Sequence, residues 1–211
     1  MRTALALLIL LGSLSVSASS VFDDMKVRAE QGDADAQSAL GYNYYAGKGT
    51  PQDYKEALRW YRASAEQGNQ YAQSSLALMY KQGEGTPQDY KEAVRWYLAS
   101  AEQGYAMAQH NLALMHYNGE GTPKDYKEAV RWFRASAEQG YASAQFNLAF
   151  MYKNGEGTIQ DYKLAHMWWN IAAANGQEDA KNNRDIVAGK MTPADISEAQ
   201  QMASDWMKVH P

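Results

Sequence analysis

Asp53-DYKEALRWYRASAEQG-Gly68, Asp89-DYKEAVRWYLASAEQG-Gly104 and Asp125-DYKEAVRWFRASAEQG-Gly140 are near copies of one stretch, each beginning and ending at the named residue. A fourth copy, DYKLAHMWWNIAAANG from Asp161 to Gly176, has drifted. Gly32, Gly68, Gly104, Gly140 and Gly176 stand 36 residues apart. A fixed period of this length marks a stacked array of small supersecondary units. The spacing divides the chain into repeats over 33–68, 69–104, 105–140 and 141–176, with 19–32 as an N-terminal partial helix or cap. Residues 177–211 hold a degenerate repeat and a terminal capping helix.

Each unit reads as two helices. In the first, Ala36, Leu40, Gly41 and Tyr44 fall on one face of a 3.6-residue period. The same positions recur at Ala72, Leu76, Ala77 and Tyr80, at Ala108, Leu112, Ala113 and His116, and at Ala144, Leu148, Ala149 and Tyr152. Gly47, Gly83, Gly119 and Gly155 stand where a left-handed C-terminal cap belongs. The second helix opens at one of two caps. Thr50 with Pro51 is one possibility, and Asp53 with Glu56 is the preferred one, because the aspartate recurs at 89, 125 and 161. Its stripe is Tyr54, Ala57, Tyr61 and Ala65, with Trp60 on the flank. Alanines facing aromatics let helices approach closely, and no hairpin covers both its faces alone, so the units must stack. The fold class is therefore all-α.

The ends differ from the repeats. Residues 22–32 read as the tail of a further second helix, since Ala29-Glu30-Gln31-Gly32 copies Ala65-Glu66-Gln67-Gly68. Ala180 starts a fifth first helix, but Arg184 stands where leucine belongs. Met191 to Asp195 is a helix start, and Ile196 to Trp206 an amphipathic terminal cap. At the other end, Arg2, the apolar run Ala4–Leu11 and Val16-Ser17-Ala18 have the layout of a secretory signal peptide. The expected cleavage after Ala18 makes the mature chain periplasmic or secreted, with no stable membrane insertion. The run is short for a bilayer span.

The pattern A-x-x-x-[LM]-[GA]-x-x-Y-x-x-G-x-G followed by D-Y-x-x-A-x-x-W-[YF]-x-x-[AS]-A-x-x-G resembles the Sel1-like repeat, an α/α relative of the tetratricopeptide repeat. The resemblance covers 33–176. It implies a curved superhelical solenoid serving as a scaffold or adaptor for protein–protein interaction. Exported bacterial relatives include regulators of envelope signalling, exopolysaccharide assembly factors and proteins that contact host molecules. One cysteine-rich branch is linked to β-lactam binding, and this chain, with no cysteine, departs from it.

The chemistry in the sequence points to binding. Without cysteine there is no disulfide framework and no thiol chemistry. After loss of Arg2, 19 basic and 24 acidic side chains give a net charge of −5, which attracts neither nucleic acid nor anionic lipid. His110, His116, His166 and His210 lack metal-ligand spacing, and His116 takes the place of a packing tyrosine. The Gly-x-Gly loops follow helices, as caps do, rather than strands, as phosphate cradles do. The pairs Glu84 with Asp89 and Glu120 with Asp125 repeat, as structural or solvated groups do. No catalytic residue and no cofactor or metal is expected.

A second stripe on the first helices varies between units: Ser38, Tyr42 and Tyr45; Ser74, Leu78 and Lys81; His110, Leu114 and Tyr117; Phe146, Phe150 and Lys153. In the arrangement the resemblance implies, this stripe faces a concave groove suited to an extended peptide or an amphipathic helix. Positions 42, 78, 114 and 150 fit either groove or inter-repeat core, whereas Tyr45, His110 and Tyr117 are expected to be exposed. The leading expectation is a monomeric-type adaptor for a protein or peptide partner in the envelope or outside the cell. The 15 Tyr and 6 Trp raise a cell-wall or glycan ligand as the alternative. A β-lactamase-like enzyme is a third and weaker one.

Overall fold

The computed structural model describes residues 18–210; the signal-like segment lies outside them apart from Ala18, which starts the first helix. The described residues form eleven α-helices and no strand. α1 (Ala18–Glu30) precedes four hairpins: α2 (Ala34–Ala46) with α3 (Tyr54–Glu66), α4 (Gln70–Gln82) with α5 (Tyr90–Glu102), α6 (Ala106–Asn118) with α7 (Tyr126–Glu138), and α8 (Ala142–Asn154) with α9 (Tyr162–Ala174). α10 (Asp179–Ala188) and α11 (Pro193–Val209) finish the chain. Packing runs between consecutive helices, the quasi-one-dimensional pattern of a solenoid. The main departures are α2, which also touches α4, and the end of the chain, where α10 and α11 both lie on α9.

Asp53, Asp89 and Asp125 cap the second helices, each accepting from the backbone N–H groups two and three residues on. Thr50 is not the cap. Gly47, Gly83, Gly119 and Gly155 end the first helices in the left-handed region, with φ between 68° and 76°. Their N–H groups donate to carbonyls four residues back, which satisfies helix-end acceptors.

The core interleaves the two expected stripes. Leu76, Ala77, Leu112, Ala113, Leu148 and Ala149 are fully buried against Ala57, Ala93 and Ala129 and the ring of Tyr97. Tyr54, placed on the buried stripe by periodicity, is only half-buried, and Trp60 on its flank is buried.

A polar ladder crosses this core. Gln73 Nε2 donates to the Ala65 carbonyl of the preceding unit (3.2 Å), while its Oε1 accepts from Gln103 Nε2 (2.7 Å). Gln37, Gln109 and Gln145 repeat the first contact, and Ser64, Ser100 and Ser136 donate to carbonyls 30 residues back. Buried amides without partners would cost about 1–3 kcal/mol each, so the ladder fixes the register between helices that alanine and leucine alone would leave loose.

The ends depart from the repeat for visible reasons. α1 occupies the register of a second helix, 36 residues before α3, but Asp24 and Arg28 replace the buried Trp60 and Ser64, and Arg28 pairs with Asp33 at 2.6 Å. Its outer face is thus soluble. Arg184 breaks the fifth repeat by turning to Asn170 Oδ1 (3.0 Å), and Trp206 of α11 then covers Trp168, ring centroids 5.6 Å apart.

Candidate partner-binding groove

The varying stripe of the first helices splits three ways in the structure. Positions 38, 74, 110 and 146 turn toward the next unit. Ser74 is buried at 5% exposure and His110 at 8%, so neither is an open contact surface, which corrects the expectation of an exposed His110. The His110 ring lies 5.2 Å from the Tyr141 ring and 5.7 Å from that of Phe133, and its Nε2 hydrogen-bonds with Asn147 at 3.0 Å. Ser38 and Phe146 are half-buried in the same register.

Burial pushes the His110 imidazole down to about 4, with a smaller contribution from Lys81. A histidine whose folded value lies below its unfolded one binds fewer protons when folded, so stability is complete above about pH 6.5 and is lost as pH falls toward 4. The loss amounts to about 3 kcal/mol. His166 is shifted the same way, first by burial and then by Arg184. His110→Phe, which adopts the residue of position 146, is expected to flatten the urea-unfolding free energy between pH 6.5 and 4 by more than half. An unchanged slope would assign the acid sensitivity elsewhere.

Positions 45, 81, 117 and 153 sit at the rim. Tyr45 packs its ring on Tyr54 (5.4 Å) and Tyr117 on Tyr126 (5.2 Å), so both are half-buried rather than free. Burial and the carboxylates of Glu84 and Glu156, respectively, raise both phenols. Lys81 makes the equivalent contact with Glu120 at 3.2 Å. The Lys81–Glu120 pair therefore joins one unit to the loop of the next, and Glu84 and Glu156 hold the same register in their own loops. Periodicity marked these glutamates as repeating but did not show what they hold.

Positions 42, 78, 114 and 150 do both things considered for them. Tyr42 is 47% exposed, and Leu78, Leu114 and Phe150 are half-buried against the core. All four line open hollows. One, of about 170 Å³, lies between Tyr42, Tyr45, Tyr61, Ser75 and Leu78. Another, of about 200 Å³, is lined by Leu114, Phe133, Phe146, Asn147 and Phe150 among others. Tyr61 and Phe133 come from second helices and form the floor. Ser75 and Asn147 were missed in the sequence although their position drifts (Ala39, Ser75, Asn111, Asn147) as freely as the trios do. The groove is thus tyrosine- and hydroxyl-lined toward the N-terminus and apolar toward the C-terminus, a surface for side-chain capture with a few polar contacts.

The Trp ladder has a different job. Trp60, Trp96 and Trp132 are buried, and the guanidinium groups of Arg59, Arg95 and Arg131 lie 4.0, 4.2 and 3.9 Å over their rings while pairing with Glu56, Glu92 and Glu128. The indole faces a sugar ring would need are already covered. Among the described residues no cluster of three His, Cys, Asp or Glu side chains is arranged to hold a metal ion, and no helix is long and apolar enough to cross a membrane.

The Sel1 repeat matches residues 34–69, 70–105, 106–141 and 142–177. No curated protein matches the chain. Among solved structures, a Sel1 repeat protein from Oxalobacter formigenes is 32% identical, with a TM-score of 0.75 over 89% of this chain and 77% of that one. The antigen c5321, a protective antigen present in uropathogenic Escherichia coli strains and displaying an SLR fold, is 30% identical with a TM-score of 0.57. That alignment covers 91% of this chain and 49% of c5321. The immunity protein Pa5087 from Pseudomonas aeruginosa shares the fold at 19% identity, with a TM-score of 0.52 over 91% of this chain and 73% of its own. Proteins built from these repeats mediate protein–protein interaction and are typically non-catalytic scaffolds. Four matching repeats, the glycine-capped hairpins and their stacking together place this chain in the Sel1 repeat family.

Proposed function

We propose that this protein is an exported, non-catalytic adaptor that holds a segment of a protein partner in the groove formed by α2, α4, α6 and α8. The observation that carries this reading is the pair of hollows between neighbouring first helices, about 170 and 200 Å³, lined by residues that differ from unit to unit while the core residues stay the same. The two hollows lie two repeats apart, Tyr42 and Leu114 being 72 residues apart, so well-separated side chains of one extended segment suit them. Export rests on the signal-like N-terminus. With no disulfide available, packing and the polar ladder must hold the mature fold, which agrees with how completely the ladder's glutamine amides are bonded. The tryptophans that raised a glycan ligand in the sequence are spent on packing, with Arg59, Arg95 and Arg131 lying over Trp60, Trp96 and Trp132.

A photo-reactive amino acid placed at Tyr42 or Leu114 is expected to crosslink a discrete partner in the cells that make the protein. The same group at Arg95, on the outer face, is expected to give none. Tyr42→Ala combined with Phe150→Ala should abolish co-purification of that partner while the helical circular dichroism is retained. Capture through Arg95 alone would overturn the reading.

A further inference from the structure

The rim rungs stop one short. Lys81 pairs with Glu120 at 3.2 Å, 39 residues ahead, and Glu84 and Glu156 stand at the same offset from Tyr45 and Tyr117 and help raise their phenols. The matching position for Lys153 is Thr192, which caps α11, because no fifth Gly-x-Gly loop follows the four at 47–49, 83–85, 119–121 and 155–157. Lys153 has no anionic partner among the described residues, and its Nζ lies 5.0 Å from the Phe150 ring that lines the hollow of about 200 Å³. Lys190, likewise without an ion pair there, lies 5.6 Å over the ring of Tyr162. Tyr162 holds the register of Tyr54 and Tyr126, the residues on which Tyr45 and Tyr117 pack. An acidic protein of net charge −4 therefore ends its groove with two uncompensated ammonium groups beside an apolar hollow.

A second copy is the wrong occupant. The first loop reads Gly47-Lys48-Gly49, so a head-to-tail neighbour would bring Lys48, not a glutamate, to Lys153. Like charges in that place oppose stacking of copies. The geometry points instead to an acidic segment of a partner protein, with a bulky apolar side chain in the hollow of Leu114, Phe133, Phe146 and Phe150 and an adjacent carboxylate on Lys153, within reach of Lys190. This deepens the groove reading and rests on it. The partner's carboxylate takes the place on Lys153 that Glu120 takes on Lys81.

The test is selection of random octapeptides displayed on phage against the mature full chain, followed by fluorescence anisotropy of the enriched peptides. Enriched sequences are expected to carry Phe, Leu, Trp or Met within two residues of Asp or Glu. Their affinity should fall about tenfold in Lys153→Glu and in Phe150→Ala, hold in Lys153→Arg, and weaken with added salt. Neutral or basic peptides that respond to Phe150→Ala and ignore Lys153→Glu would overturn the acidic partner and leave the groove standing. Enriched peptides indifferent to Phe150→Ala, Tyr42→Ala and Lys153→Glu alike, or no enrichment, would overturn both. Concentration-dependent self-association that Lys153→Glu strengthens would make a second copy the occupant and overturn the proposal.

Discussion

Gly121→Ala is expected to lower the unfolding free energy by about 3–4 kcal/mol, among the largest losses of any glycine-to-alanine change in the array. Gly121 has a φ of 70°, where an L side chain is strained, and a Cβ there would overlap the backbone carbonyl of Tyr90 in the preceding unit. Backbone cannot yield as a flexible side chain can. Gly104 supplies the contrast: its φ is 93°, yet no atom lies within 4 Å of an added Cβ. Gly104→Ala should therefore show only the backbone strain, about 1–2 kcal/mol. Urea unfolding followed by circular dichroism measures both. Equal losses would mean that the Gly-x-Gly loop is a cap and nothing more. A larger loss at Gly121 makes its second glycine the point where one unit seats on another, as Gly85 and Gly157 do against Tyr54 and Tyr126.

Trp169→Ala is the second large effect, about 4 kcal/mol. The indole is fully buried, 6.4 Å from the Phe146 ring and 6.0 Å from that of Phe150. The corresponding residues are Tyr61, Tyr97 and Phe133, so the site accepts a six-membered ring in other units. The Trp169 Nε1 is buried without a partner, and Trp169→Phe removes that unpaired donor along with some volume. Its loss should stay near 1–2 kcal/mol. Because α10 and α11 rest on α9, hydrogen exchange in Trp169→Ala should rise first in 162–209, while 34–138 keeps its protection. Uniform loss along the chain would show instead that the array unfolds as one cooperative block.

The groove was harder to read than the core because two different demands share one helix. His110 varies between units, as a contact residue does, yet it is sealed by Phe133, Tyr141 and Asn147. Variation alone does not separate a position that meets a partner from one that meets a neighbouring unit whose own residues vary. Tyr45 and Tyr117 were expected to be exposed, but they are half-buried on Tyr54 and Tyr126, because how far one unit is displaced along the next brings those rings together. The glutamine ladder escaped for the same reason. Its signal, Gln after Ala at 37, 73, 109 and 145 and the Ala-Glu-Gln-Gly ends, was in plain view, but a repeated polar residue on a helix reads as solvent-facing until its partner is known.

What the sequence determined by itself was everything set by local chemistry and period. The left-handed glycines ended the first helices, the aspartates opened the second, and alanine, leucine and aromatic stripes at helical spacing required stacked hairpins. Only the tertiary structure decided which side of each stripe stays open. Burial in a solenoid depends on the displacement between successive units, a quantity no single hairpin contains. That displacement shuts Ser74 and His110 inside, opens the hollows at Tyr42 and Phe150, and leaves Lys153 without an answering carboxylate among the described residues.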